Sequence, residues 1–253
     1  MALFQNAVVK KYLSSVSELD TDSAWKIFTA HFHNPEIIEN IRNSKEEEYQ
    51  AGFLTHLFEK VLAYTLYPAE GFNLRLEQKD EKGSKKADAA LLQNGNVKAV
   101  IELKGTDTTD LDKVEPQAFG YKNYHRHADY VIISNFEKLR FYIDNAVEHI
   151  EFNLFELSRD EFNLLWLCLE RGNFERNTPK KMKEASLTKN EEVNKKLYAD
   201  YSAFKDAVFQ SMVKHNPDYD KLRLFKKHRN CSTVFSSSFL RKTSSFCRRI
   251  QSV

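Results

Sequence analysis

Glycine is scarce in this sequence, seven residues in 253, and none stands in a Gly-x-Gly arrangement. That excludes the glycine-rich loops that cradle phosphates in dinucleotide-binding and Walker-type sites, so no nucleotide cofactor and no ATP hydrolysis is expected. Three cysteines cannot build a disulfide framework, and Cys168, beside Leu164-Leu165-Trp166-Leu167, reads as a buried inert thiol rather than a nucleophile. Long apolar runs are missing too. Stretches such as Tyr130 to Ile133 fall far short of the roughly 18 to 20 residues that a spanning helix needs. The first residues lack the basic start, apolar stretch and small-residue cleavage site of a secretory signal. These absences together predict a soluble cytoplasmic protein with no membrane partner. An excess of charge of one sign is also absent: 38 basic residues face 36 acidic ones, and from Leu222 onward basic residues occur without any acid. The body before that point is therefore net acidic. Overall composition gives no argument for nucleic acid, and any DNA contact has to come from a local site.

What is present is ample core material, 42% hydrophobic and 13% aromatic residues. Residues 1–65 read as a helical layer. Val8, Tyr12, Val16 and Leu19 fall at helical spacing; Phe53, Leu54, Leu57, Phe58, Val61 and Leu62 share one broad face; Asn34-Pro35 marks a helix start. After Pro68 the period changes. Phe72, Leu74 and Leu76 alternate with polar residues, and a charged loop, Lys79 to Lys86, follows. Ala87 to Leu92 and Val97 to Leu103 then flank Asn94-Gly95, a hairpin-turn pair. A helix from about Pro116 to His125 leads into strands at Tyr130 to Ser134 and Leu139 to Tyr142, with edge material at Ile150 to Phe155. The alternation predicts an α/β core over residues 66–158, with a mixed sheet and helices on its faces. From Arg159 to about residue 225 the chain reads as a helical connector, in which Leu197, Tyr201, Phe204, Val208 and Met212 form an amphipathic stripe that needs a partner surface.

Phosphodiester hydrolysis calls for a hard metal ion to polarise the phosphate, a poised water and a cation near the developing charge. In Val100-Ile101-Glu102-Leu103-Lys104 the two-residue strand period puts Glu102 and Lys104 on one side and Ile101 and Leu103 on the other. Asp88 lies in the preceding strand, joined through the Asn94-Gly95 turn, so the hairpin can bring all three together. Asp80-Glu81-Lys82 fits the short half of the pattern but sits in a hydrophilic loop. An isolated Glu-x-Lys is most often a cross-strand ion pair on a wet edge. Here the carboxylate lies inside an apolar strand, where burial carries a desolvation penalty that needs a metal or a partner. Gln117 and Tyr121, four apart on the next helix, can face the site, and Glu48 on the early helix is a candidate outer contact to metal or water. His125 and His127 lack companions at zinc-ligand spacing and read as helix-end surface residues. Asp107, Asp110 and Asp112 do not fit a calcium loop and read as solvated acids.

The blocks Lys86-Ala87-Asp88, Ala99 to Thr106, Gln117-Ala118-Phe119-Gly120-Tyr121 and Ser134 to Tyr142 resemble, in that order, the N-terminal nuclease domain of type IIG restriction-modification enzymes. They are similar also to type I restriction subunits and RecB-like nucleases. The likeness runs from about residue 30 to 220. It implies a PD-(D/E)xK, restriction-endonuclease-like fold acting on double-stranded DNA. In that reading Asp88 and Glu102 bind Mg²⁺, with Mn²⁺ as substitute, Lys104 positions or activates the attacking water, and Gln117 orients the phosphate or the lysine. Ala87 stands where the nominal motif has proline. In such enzymes a helical connector is followed by an adenine methyltransferase and a target-recognition region. No Asn-Pro-Pro-Tyr motif occurs here, since His215-Asn216-Pro217-Asp218 departs at the third position, so no methyl transfer is expected of this chain and a methyltransferase or specificity subunit is the expected partner. The competing reading is a silent DNA-binding or interaction module, or an inactive fragment of a longer enzyme. Residues 226–253 have neither acid nor glycine nor any period, and they read as a disordered or out-of-frame ending. Permitted codons for His228 to Thr243, read in the −1 frame, can encode an apolar helix pattern.

Overall fold

The computed structural model describes residues 3–79, 86–218, 220, 222, 223 and 225. The expectation for residues 226–253, and that for most of the charged loop before β2, lie outside the described residues. The chain divides into two units, Met1–Leu187 and Thr188–Val253.

The first unit opens with α1 (Asn6–Leu13), α2 (Glu18–Phe32), α3 (Pro35–Asn43) and α4 (Glu46–Phe53), the last running into a π-helical stretch, Leu54–Val61. Asn34 begins α3 as read from the sequence, its side chain accepting from Glu36 N–H at 3.0 Å and Ile37 N–H at 3.3 Å. One expected face does not survive. Helix α1 ends at its cap Ser14 and a new helix starts with the Ser17 hydroxyl accepting from Asp20 N–H, so Leu19 belongs to α2 and is 81% exposed. A serine cap overrides a spacing that happened to continue across it.

Six strands follow: β1 (Leu74–Lys79), β2 (Lys86–Gln93), β3 (Asn96–Leu103), β4 (Tyr130–Ser134), β5 (Lys138–Ile143) and β6 (His149–Asn153), arranged in the sheet in sequence order. All adjacent pairs are antiparallel except β3 and β4. A parallel neighbour needs a crossover, and the chain provides one with a 3₁₀ turn, Leu111–Lys113, and α5 (Glu115–Lys122). The result is an α/β fold with a mixed open sheet, consistent with a restriction-endonuclease-like core.

Strand alternation sorts the sheet into two faces. Ala89, Leu91, Ala99, Ile101, Leu103 and Ile132 enter a large core with Phe28 and Phe32 of α2, Leu54, Leu57 and Phe58 of the π-helical stretch, and Phe162 and Leu165. On the other face Val131, Ile133 and Tyr142 meet Leu111, Val114 and Ala118 of the crossover. Helices α6 (Arg159–Leu169) and α7 (Arg171–Glu175) belong to the first unit, which ends in the opening turns of α8 (Thr178–His215). The boundary read at Arg159 is thus too early, because α6 buries Phe162, Leu165, Trp166, Leu167, Cys168 and Leu169 in the core. Cys168 is fully buried and burial pushes its thiol up, as read from the sequence. In the second unit α8 exposes Val193, Leu197, Tyr198 and Phe204. Among the described residues no helix is long and apolar enough to cross a membrane.

The β2–β3 hairpin turns through Asn94 and Gly95, both at positive φ (52° and 78°), as a two-residue turn matched to strand twist requires. A Cβ on Gly95 would meet nothing within 4 Å, so any penalty there is conformational. Gly95→Val should therefore lower the unfolding free energy by about 1–2 kcal/mol, read as a lower urea midpoint with unchanged slope. An unaltered midpoint would show that the turn does not fix the hairpin.

Candidate active site

The pairing of Ala89 with Ile101 sets the hairpin register, and one step further along it Asp88 comes opposite Glu102. Here the ladder gives way to a side chain: Asp88 Oδ2 accepts from Leu103 N–H at 2.7 Å. On the other side of β3, Leu103 pairs with Ser134 of β4, and Lys104 N–H donates to the Ser134 carbonyl at 2.8 Å. The Glu102-Leu103-Lys104 backbone is therefore clamped from both neighbouring strands, at the sheet end where the chain leaves for the crossover.

Glu102 is 1% exposed. Its Oε1 accepts from Lys104 Nζ at 2.9 Å and from Gln117 Nε2, while its Oε2, also buried, has no hydrogen-bond partner. Lys104 Nζ sits among oxygens, donating to the Leu103 carbonyl at 2.7 Å and facing Glu46 Oε1 at 3.6 Å. Gln117 also donates to Tyr121 OH at 3.2 Å, so the two α5 residues four apart do line one side.

Electrostatics follow from this enclosure. Burial, and then the neighbouring Asp88 carboxylate, push Glu102 up to about 7, against the relief offered by Lys104. Burial acts to lower Lys104, but its bond to Glu102 and the charges of Glu102, Asp88 and Glu46 outweigh it and the ammonium is held above its ordinary value. The site is a carboxylate-rich corner in which one lysine provides only part of the compensation.

Of the residues singled out in the sequence, Asp88, Glu102, Lys104, Gln117 and Tyr121 are brought together. Glu48 is not among these contacts. Its Oε2 accepts from Lys45 N–H at 2.8 Å, closing the first turn of α4, and the carboxylate that reaches Lys104 is Glu46, two residues earlier. The Lys45-x-x-Glu48 spacing at a helix start was the available signal: the third helical position folds back on the cap, which leaves the first to point outward. His125 is 7% exposed, not a surface residue, whereas His127 is exposed. Asp110 caps the 3₁₀ turn and Asp112 pairs with Arg140, both from exposed positions.

The described residues contain no group of three or more His, Cys, Asp and Glu arranged to hold a metal ion. Mg²⁺, however, commonly takes one or two protein carboxylates and keeps water and substrate oxygens for the rest of its octahedron. Asp88 and the orphaned Glu102 Oε2 match that donor chemistry, and the oxygens around Lys104 Nζ already accommodate a positive charge.

A mixed sheet carrying such a corner at the mouth of its crossover is consistent with a restriction-endonuclease-like core. Residues 34–150 match the family of the type I restriction enzyme R protein N terminus, a span that runs from the cap of α3 into β6 and holds every residue of the corner. The match supports an N-terminal restriction nuclease domain over this stretch. Neither the curated proteins nor the solved structures contain a match to the chain.

A carboxyl raised to about 7 carries a definite pH signature. With the folded value above the ordinary 4.5, the contribution of Glu102 to stability is fully present below that ordinary value and is lost as the pH rises through about 7. In metal-free protein Glu102→Gln should therefore gain on the parent between pH 5 and pH 8, by on the order of 2 kcal/mol. The measurement is denaturant unfolding of both proteins across that range; a difference independent of pH would mean that Glu102 is not strained by its charge.

Proposed function

We propose that this chain is a Mg²⁺-dependent DNA endonuclease domain of a restriction-modification system, with Asp88 and Glu102 holding the metal and Lys104 acting on the attacking water. The observation that carries this reading is the buried Glu102 carboxylate with one unpartnered oxygen, set beside Asp88 and Lys104. A permanent desolvation penalty of this kind is hard to account for as structure alone, since a leucine there would pack without it.

Mg²⁺ bound there, or Mn²⁺ in its place, would supply Lewis-acid polarisation of the scissile phosphate and a more acidic bound water. The residues of the chain have separate tasks. Glu102 Oε2 and Asp88 offer negative charge to the cation. Lys104, anchored to the Leu103 carbonyl and Glu102 Oε1, stands ready to orient a water by one N–H while opposing the charge that builds on the phosphate. Gln117 fixes Glu102 Oε1, so that the other oxygen keeps its direction. Glu46 holds the lysine from the helical layer and takes the outer role first assigned to Glu48.

The finer reading is a type IIG arrangement, in which double-stranded DNA is recognised and methylated by other domains or subunits and α8 is the connector toward them. The exposed apolar positions of α8 support it.

The test is cleavage of supercoiled plasmid by the purified protein with Mg²⁺ or Mn²⁺. Asp88→Asn, Glu102→Gln and Lys104→Ala should each reduce the rate by about 100-fold or more with the fold intact, since each removes charge stabilisation of a few kcal/mol. Undiminished cutting by Glu102→Gln would sink the assignment, and an inactive parent would favour a silent binding module. A second readout is independent of turnover. Millimolar Mn²⁺ should raise the melting temperature of the parent by mass action, and Asp88→Asn should lose most of the gain; a parent indifferent to the ion would count against the metal site.

A further inference from the structure

Gln117 reaches Glu102 from α5, a helix of only eight residues. Isolated helices of that length do not persist in water, so the direction of Gln117 depends on what fastens α5 to the sheet. Among the described residues α5 has apolar contacts on two clusters: Leu111, Val114 and Ala118 pack on Val131 and Ile133, and Tyr121 packs against Ala87, Ala90 and Val100, contacts that set depth but tolerate rotation and sliding. Two further ties are directional and both come from β5.

Tyr142 is fully buried, its ring meeting Phe119 edge-on at 5.3 Å, and its hydroxyl donates to Glu115 Oε1 in the first turn of α5. Arg140, two residues earlier on the same strand face, donates through Nη1 to Asp112 of the 3₁₀ turn and lies 3.5 Å from the same Glu115 oxygen. Its Nε donates to Glu151 of β6 at 2.7 Å, which fixes the guanidinium in turn. One strand thus grips the turn before α5 and the first residue of α5, and Gln117 follows two residues later. The arrangement is costly to keep for packing alone: a tyrosine hydroxyl and a guanidinium only 14% exposed are committed to three carboxylates.

We infer that Tyr142 and Arg140 are positioning residues for the nuclease site, holding the start of α5 so that Gln117 remains bonded to Glu102. They touch neither Glu102 nor Lys104 in this arrangement and act through Gln117. The consequence for cleavage rests on the function proposed above; the consequence for Gln117 itself does not.

The experiment has two arms on the full chain. In metal-free, DNA-free protein, the side-chain amide resonances of Gln117 are assigned by their loss in Gln117→Ala and then followed in Tyr142→Phe and Arg140→Lys, both conservative enough to retain the fold. The expected result is a shift of those resonances toward free-glutamine values, with faster amide exchange over residues 111–122 and a melting temperature close to the parent. Unmoved Gln117 resonances in both variants would overturn the inference, whatever happens to global stability. In the second arm, Tyr142→Phe should slow plasmid cleavage roughly tenfold, as loss of one well-made hydrogen bond allows. The same substitution should have almost no effect in a Gln117→Ala background, because positioning through Gln117 makes the two losses non-additive. Full additivity would overturn the inference in favour of a general structural role. Absence of cleavage in the parent would count against the proposed function, and the resonance arm would still decide the positioning role.

Discussion

The burial of one carboxylate organises this domain. Glu102 lies inside a strand whose other residues from Ala99 to Leu103 are fully enclosed hydrophobics, and it is accommodated only because several independent elements converge on it. Strand β2 brings Asp88 opposite, the chain beyond β3 brings Lys104, the crossover helix brings Gln117, and α4 brings Glu46 to the lysine. None of these removes the penalty entirely. One oxygen stays without a partner and the carboxyl is pushed up to about 7. A core that retains such a group keeps free energy available for a ligand that binds the charged form, and a cation is the ligand whose binding would relieve it most directly.

The sheet provides the rigidity that such a site requires. The parallel β3–β4 pair is flanked by antiparallel neighbours, and at its end the Leu103 N–H is held by Asp88 on one side and the Lys104 N–H by Ser134 on the other, so the strand cannot slip without turning every side chain to the wrong face. The large aromatic core beneath, with Phe28, Phe32, Phe53, Phe58 and Phe136 fully buried, holds the helical layer at a fixed depth. That fixed depth lets the first turn of α4 present Glu46 to Lys104. Among the described residues the opposite face is covered by the short crossover segment, whose apolar contacts are supplemented by directional ties from Arg140 and Tyr142.

Charge is distributed in keeping with this local design. The net acidic body offers no general attraction to DNA, and the site itself is richer in carboxylate than in cation. Affinity for a polyanion would therefore have to come from a local feature, of which a bound cation at the proposed metal site would be one.

The sequence by itself determined the order of helices and strands, the hairpin at Asn94-Gly95, and the shared side of Glu102 and Lys104, because each depends on a local period or on a turn residue with a demanding φ. It allowed Asp88 to meet them through the hairpin, but the turn length alone would set Asp88 opposite Ile101, and the bulge between Leu91 and Leu92 shifts the register by one residue to bring it opposite Glu102. Only the tertiary structure decided matters that depend on helix phase and docking. Glu48 folds back to close its own helix while Glu46 faces the site, and Leu19 turns outward once Ser17 restarts the helix. Helices α6 and α7, which composition assigned to a connector, complete the core. Gln117 was legible as a candidate, but its hold on Glu102 depends on Arg140 and Tyr142, more than twenty residues away in sequence. No local pattern could join them, because hydrogen bonds across a crossover are fixed by how a helix lies on a sheet and not by spacing along the chain.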